Sequence, residues 1–107
     1  MTNTKLALGS LYITKGAKAK LHIPDAAEAM KRHANLDFGD ISEEDREVNM
    51  QAVEIGERVM SAYTDKNGTR FWIITEADRY CTTILLPEEL PGPEESGSFF
   101  YVAMQVH

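Results

Sequence analysis

Residues 58–86, RVMSAYTDKNGTRFWIITEADRYCTTILL, decide the fold. Their patterning has a period of two in three runs, 58–64, 69–75 and 80–86, separated by DKNG and EADR. Asn67-Gly68 is a strong hairpin-turn signal, because both residues tolerate the positive φ that a tight two-residue turn demands. The third run is rich in β-branched residues, and Pro87 ends it. Three consecutive antiparallel strands are expected, with the polar cluster Glu76, Asp78 and Arg79 at the second connection.

Upstream of the hairpin the pattern becomes helical. LGSLYIT (8–14) reads as a short strand with Leu11 and Ile13 on one face. Thr14 then caps a helix around 15–22, which Pro24 is expected to stop. Asp25 followed by Glu28 is a capping-box variant that opens a helix over 26–35, with Ala27, Met30 and Ala34 on one face. NLDFGD (35–40) is a loop in which Gly39 is expected to take a positive φ. The clearest helix follows: Ser42 caps it, Glu43, Glu44 and Asp45 fill its first turn, and Gly56 lies near its end. Val48, Ala52, Ile55 and Val59 predict one apolar stripe, with Glu44, Glu47, Gln51 and Glu54 opposite.

Downstream, PEELPGPEESGS (87–98) reads as an exposed linker. FFYVAMQVH (99–107) reads as another strand, with Phe100, Val102, Met104 and Val106 on one face. The expected fold is α+β, with N-terminal helices packed on an antiparallel meander of three to five strands. Residues 1–90 form the domain, 91–98 the linker, and 99–107 either its last strand or a dimer edge.

A chain of 107 residues has room for one modest core, and 43% hydrophobic with 26% charged residues is globular composition. The lone Cys81 excludes an intramolecular disulfide framework and a multi-cysteine zinc site. No apolar run approaches the roughly 18 residues of a membrane span, and the N-terminus lacks a long apolar signal core, so a cytoplasmic protein is expected. On that expectation Asn67-Gly68-Thr69, a formal glycosylation match, is read as a turn.

The net charge of −6 conceals an asymmetry: residues 1–35 sum to +4 and residues 36–107 to −10. Within 37–57, eight acids face Arg46 alone. Such a surface repels nucleic-acid phosphates and attracts basic protein surfaces. Asp37, Asp40, Glu43, Glu44, Glu47 and Glu54 are therefore the candidate partner-binding residues. A solvated helix face is the plain alternative. A row of carboxylates at helical spacing also imitates backbone phosphates, and complementary fields speed encounter with a basic groove.

Other clusters carry less chemistry. Glu76, Asp78 and Arg79, joined by His33, would form an alternative acid–base or small-ligand site, opposed by the ordinary role of turn charges. His33, Asp37 and Asp40 lack a further ligand at any standard metal spacing, so neither a metal nor a cofactor is expected. Cys81 sits inside a strand beside threonines, an unpromising place for a nucleophile. Lys15, Lys18 and Lys20 read as the solvated face of a short helix.

Several strings act together: GD (39–40), EED (43–45), Asn49, GERVMSAY (56–63), WIITEADR (72–79) and TTILLPEE (82–89). They resemble a family of short, uncharacterised bacterial proteins of plasmids and prophages, sometimes labelled a type I restriction subunit. The resemblance spans residues 8–90 and departs from the family pattern at Phe38, Tyr80 and Leu90. It implies a mobile-element setting and supplies no catalytic residues. The expected function is a small non-enzymatic binding protein that inhibits a nucleic-acid-targeting defence, as anti-CRISPR or anti-restriction proteins do. Its expected partner is a basic protein such as a CRISPR effector or restriction enzyme, with no direct nucleic-acid or membrane binding. Two alternatives stand beside it: a small enzyme or ligand binder using His33, Asp78 and Arg79, and a homodimeric module joined through the edge at 99–106.

Overall fold

The computed structural model describes residues 5–90 and the backbone of residues 101–103. The chain order is β1 (Ser10–Thr14), α1 (Lys15–Lys20), α2 (Ile23–Ala34), α3 (Glu43–Ile55), β2 (Val59–Thr64), β3 (Arg70–Thr75), β4 (Cys81–Leu85) and β5 (Tyr101–Ala103). The fold is α+β, as the patterning implies. Of the C-terminal readings, the 91–98 linker and the side-chain faces of 99–107 lie outside the described residues.

The meander is present. β2 pairs antiparallel with β3 from Val59–Thr75 to Thr64–Arg70, and β3 pairs antiparallel with β4. β1 then joins β4 in parallel, Ser10 beside Cys81 and Ile13 beside Ile84, and β5 closes the far edge antiparallel to β1. The sheet order is β2-β3-β4-β1-β5, so it is mixed. A parallel pair needs a long connection, and here the three helices and the hairpin supply it.

One face of the sheet carries the main core. Ile13, Tyr63, Phe71, Ile73 and Ile84 meet Ala17, Leu21, Ala26, Ala29 and Met30 from α1 and α2. A second cluster of Leu6, Phe38, Ala52 and Val59 seats α3 beside β2. Phe38 and Gly39 run along the outer edge of β2: Ala62 donates its N–H to the Phe38 carbonyl, and Asp40 donates to the Ala62 carbonyl at 2.7 Å. Gly39 has φ +74°, and a Cβ there would overlap the Ala62 carbonyl oxygen. Only glycine fits.

The caps explain the helix boundaries. The Thr14 and Ser42 hydroxyls accept the Ala17 and Asp45 N–H groups, and Gly56 ends α3 at φ +81°. The Glu89 carboxylate accepts the Thr14 hydroxyl at 2.5 Å and the Gly16 N–H at 3.2 Å, tying the turn after β4 to the start of α1.

Three local expectations are corrected. Pro24 does not stop a helix; it lies in the first turn of α2, where its missing N–H has no intrahelical partner in any case. Asp25 is accordingly no cap: His22 holds that position, and Asp25 accepts the Lys66 N–H at 2.7 Å across the fold. The buried face of α2 rotates with this change to Ala26, Ala29, Met30, His33 and Ala34, leaving Ala27 exposed.

Candidate interaction surface

The apolar stripe expected on α3 is split: Ala52 and Val59 are buried as expected, whereas Val48 and Ile55 do not face the core. Val48 is 61% exposed and Ile55 69%, while the inward positions are Asn49 and Ala52. The cause is Asn49. Its side-chain amide donates to the Met60 carbonyl at 2.7 Å and accepts the Met60 N–H at 3.3 Å, copying a strand pairing at the edge of β2. Once Asn49 points inward, the position one residue before it swings away.

The outward side of α3 therefore combines two chemistries. Glu43, Glu44, Glu47 and Glu54 are all exposed, with Val48, Met50 and Ile55 exposed among them. The charge row is legible in the sequence. The apolar component is not, because Val48 and Ile55 at helical spacing imitate a buried stripe; the only clue is Asn49 standing where a core residue belongs.

The two acids before α3 are built differently. Asp37 receives Arg32 through two nitrogens, at 2.8 and 3.3 Å, and this hydrogen bonding holds its carboxyl below the usual carboxylate range. Asp40 is exposed, and its backbone carbonyl accepts from Arg70. Of the six candidate partner-binding residues, Glu43, Glu44, Glu47 and Glu54 share α3, whereas Asp37 and Asp40 belong to the loop that borders β2.

The alternative set is distributed across structural roles. Arg79 donates to the Ala52 carbonyl at 2.8 Å and to the Glu57 and Glu76 carbonyls, closing the C-terminal end of α3. Glu76 pairs with Arg58 at 2.9 Å. Asp78 is exposed at φ +66°, its N–H donating to the Gly56 carbonyl. The EADR turn thus clamps the end of α3.

His33 is fully buried. Its Nδ1 lies 2.5 Å from Ser61 Oγ and its Nε2 2.8 Å from Thr75 Oγ1, which continues to Thr82 Oγ1 and on to the Leu8 carbonyl. Burial, followed by the positive charge of Arg79, lowers its pKa to about 4. A histidine beside a serine has the form of a base and a nucleophile, but Ser61 is equally inaccessible. Without a path for substrate the pair works as a polar cross-link of the core.

Among the described residues no group of three or more His, Cys, Asp or Glu is arranged to hold a metal ion. None of their helices is long and apolar enough to cross a membrane. Comparison with protein-family models, curated proteins and solved structures finds no match to this chain.

Proposed function

We propose that this chain is a small binding protein of a mobile element that inhibits a nucleic-acid-targeting defence from within the cytoplasm. It does so by laying the outward face of α3 on a basic surface of an effector or restriction enzyme. The observation that carries this reading is the exposure of Val48 and Ile55 beside Glu44, Glu47 and Glu54. Apolar groups supply the desolvated centre of an interface, and the carboxylates steer the encounter and select a basic partner. The motif strings WIITEADR and TTILLPEE support the mobile-element setting. Homodimerisation through β5 is a second reading, favoured by the position of that strand at the sheet edge.

The test is affinity capture from host lysate with the wild-type chain and a Glu44→Lys, Glu47→Lys, Glu54→Lys variant. All three side chains are exposed, so the variant keeps its fold. Recovery of a nuclease or CRISPR effector by the wild type and its loss with the variant is the expected outcome. Equal recovery by both proteins would falsify the α3 interface.

A further inference from the structure

Asn67 and Gly68 form the tip of the β2–β3 turn, and both are exposed. The turn is organised from Asp65. Its Oδ1 accepts the N–H groups of Asn67 and Thr69, each at 2.9 Å, and its backbone carbonyl accepts the Gly68 N–H at 2.9 Å. Asn67 enters this network through its backbone N–H, and its side-chain amide makes none of these bonds. Gly68 has φ +84°, and beyond its chain neighbours no heavy atom lies within 4 Å of where a Cβ would stand, so the nitrogen that follows Asn67 is unhindered. The other two asparagines among the described residues are arranged oppositely. The Asn35 side chain donates to the Lys31 carbonyl at 2.9 Å, and the branched Leu36 follows it. Asn49 is 6% exposed, lies inside α3 and commits its side chain to Met60.

We propose that Asn67 is a self-modification site at which the hairpin turn acquires an isoaspartate. The Gly68 backbone nitrogen attacks the Asn67 side-chain carbonyl carbon and closes a five-membered succinimide. The Cγ–Nδ2 bond breaks, and the Gly68 proton passes through solvent to the departing nitrogen, which leaves as ammonia. Water then opens the ring at either carbonyl, giving aspartate or, with the main chain rerouted through the side chain, isoaspartate. The attacking nitrogen is held beforehand only by the Asp65 carbonyl, an exposed turn bond of the kind that opens locally at little cost. The product has two effects. A carboxylate at position 67 stands beside that of Asp65, whose Oδ1 binds the residue-67 N–H, and the like charges repel. Isoaspartate also adds a methylene to the main chain before Gly68, displacing the Gly68 and Thr69 N–H groups from their acceptors on Asp65. Asp65 Oδ2 accepts the His22 N–H at 2.9 Å at the head of α2, so the disturbance passes from the turn to the helix. The α3 face takes no part in this chemistry.

The experiment incubates the full chain at pH 6 and pH 8.5, with a sample unfolded in guanidinium chloride as the reference for an unrestrained Asn-Gly pair. Peptide mapping by mass spectrometry reads the conversion of amide to acid at each asparagine, and labelling by an isoaspartyl methyltransferase identifies isoaspartate. The folded protein should lose its unmodified Asn67 peptide while the Asn35 and Asn49 peptides persist. The loss should be faster at pH 8.5, because the attack requires a deprotonated nitrogen. Asn67→Ser, a change of an exposed side chain, should keep the fold and leave this peptide unlabelled. Hydrogen exchange at the His22 and Thr69 amides should accelerate in the aged wild type and not in the aged variant; unchanged exchange would overturn the link to α2. An intact Asn67 in the folded chain once the unfolded reference has converted, or conversion of Asn35 and Asn49 at the rate of Asn67, overturns the proposal.

Discussion

His33 shows how much one side chain can join. Through Ser61, Thr75 and Thr82 it links α2 to β2, β3 and β4. A histidine in the unfolded chain titrates near 6.5 and this one near 4, so between those values the unfolded state alone takes up the proton. The contribution of neutral His33 is complete above pH 6.5 and is lost as pH falls toward 4, by about 1.4 kcal/mol per pH unit and on the order of 3 kcal/mol in all. Urea denaturation at pH 7.5 and pH 5 should show this loss in the wild type. His33→Ala should be less stable by about 3 kcal/mol at pH 7.5, since it opens a cavity and takes a partner from the buried Ser61 and Thr75 hydroxyls. Its further decline to pH 5 should be smaller; an equal decline would count against His33 as the titrating group. In the sequence His33 reads only as a candidate ligand or acid–base residue, because its partners lie in strands 28 and 42 positions away.

At the scale of elements, the strands and helices fall close to where the period and caps place them. The sequence is less informative about which way a helix turns its faces. Capping is a local reaction between a hydroxyl and an N–H three residues on, whereas orientation depends on distant partners such as Met60 for Asn49. α3 is secured by Ala52 and Val53, the Asn49 pairing and the Arg79 clamp. Arg79→Ala should cost about 2 kcal/mol, the loss of hydrogen bonds from a charged donor to helix-end carbonyls. Hydrogen exchange should accelerate in the last turn of α3 and remain slow in β3. Unchanged exchange there would show that the clamp is dispensable. Arg79→Lys should rescue little, because a single ammonium lacks the planar fork that spans several acceptors.

At the scale of the whole molecule, the strand inventory was legible but the sheet order was not. Ser10 and Cys81 are adjacent in the sheet and far apart in the chain, and nothing local in LGSLYIT marks its neighbour as parallel. β1 lies between β4 and β5, so it belongs to the interior of the sheet. A chain lacking residues 1–14 should therefore lose NMR dispersion and cooperative unfolding altogether. A folded product would mean that β2, β3 and β4 form a sufficient unit. The candidate face divides in the same way: its carboxylates were visible as charge patterning, while its exposed valine and isoleucine emerged only with the packing.

The interior position of β1 also orders events during synthesis. β1 is made before its β4 partner, which follows only after three helices and a hairpin. Until then both of its hydrogen-bonding edges are open, and closing the parallel pair carries the entropy of a long loop. The β2–β3 hairpin, joined by a short turn, can assemble while β1 waits. The nascent sheet is thus most vulnerable to wrong pairing at β1, and the later strands β4 and β5 are the ones that remove the hazard.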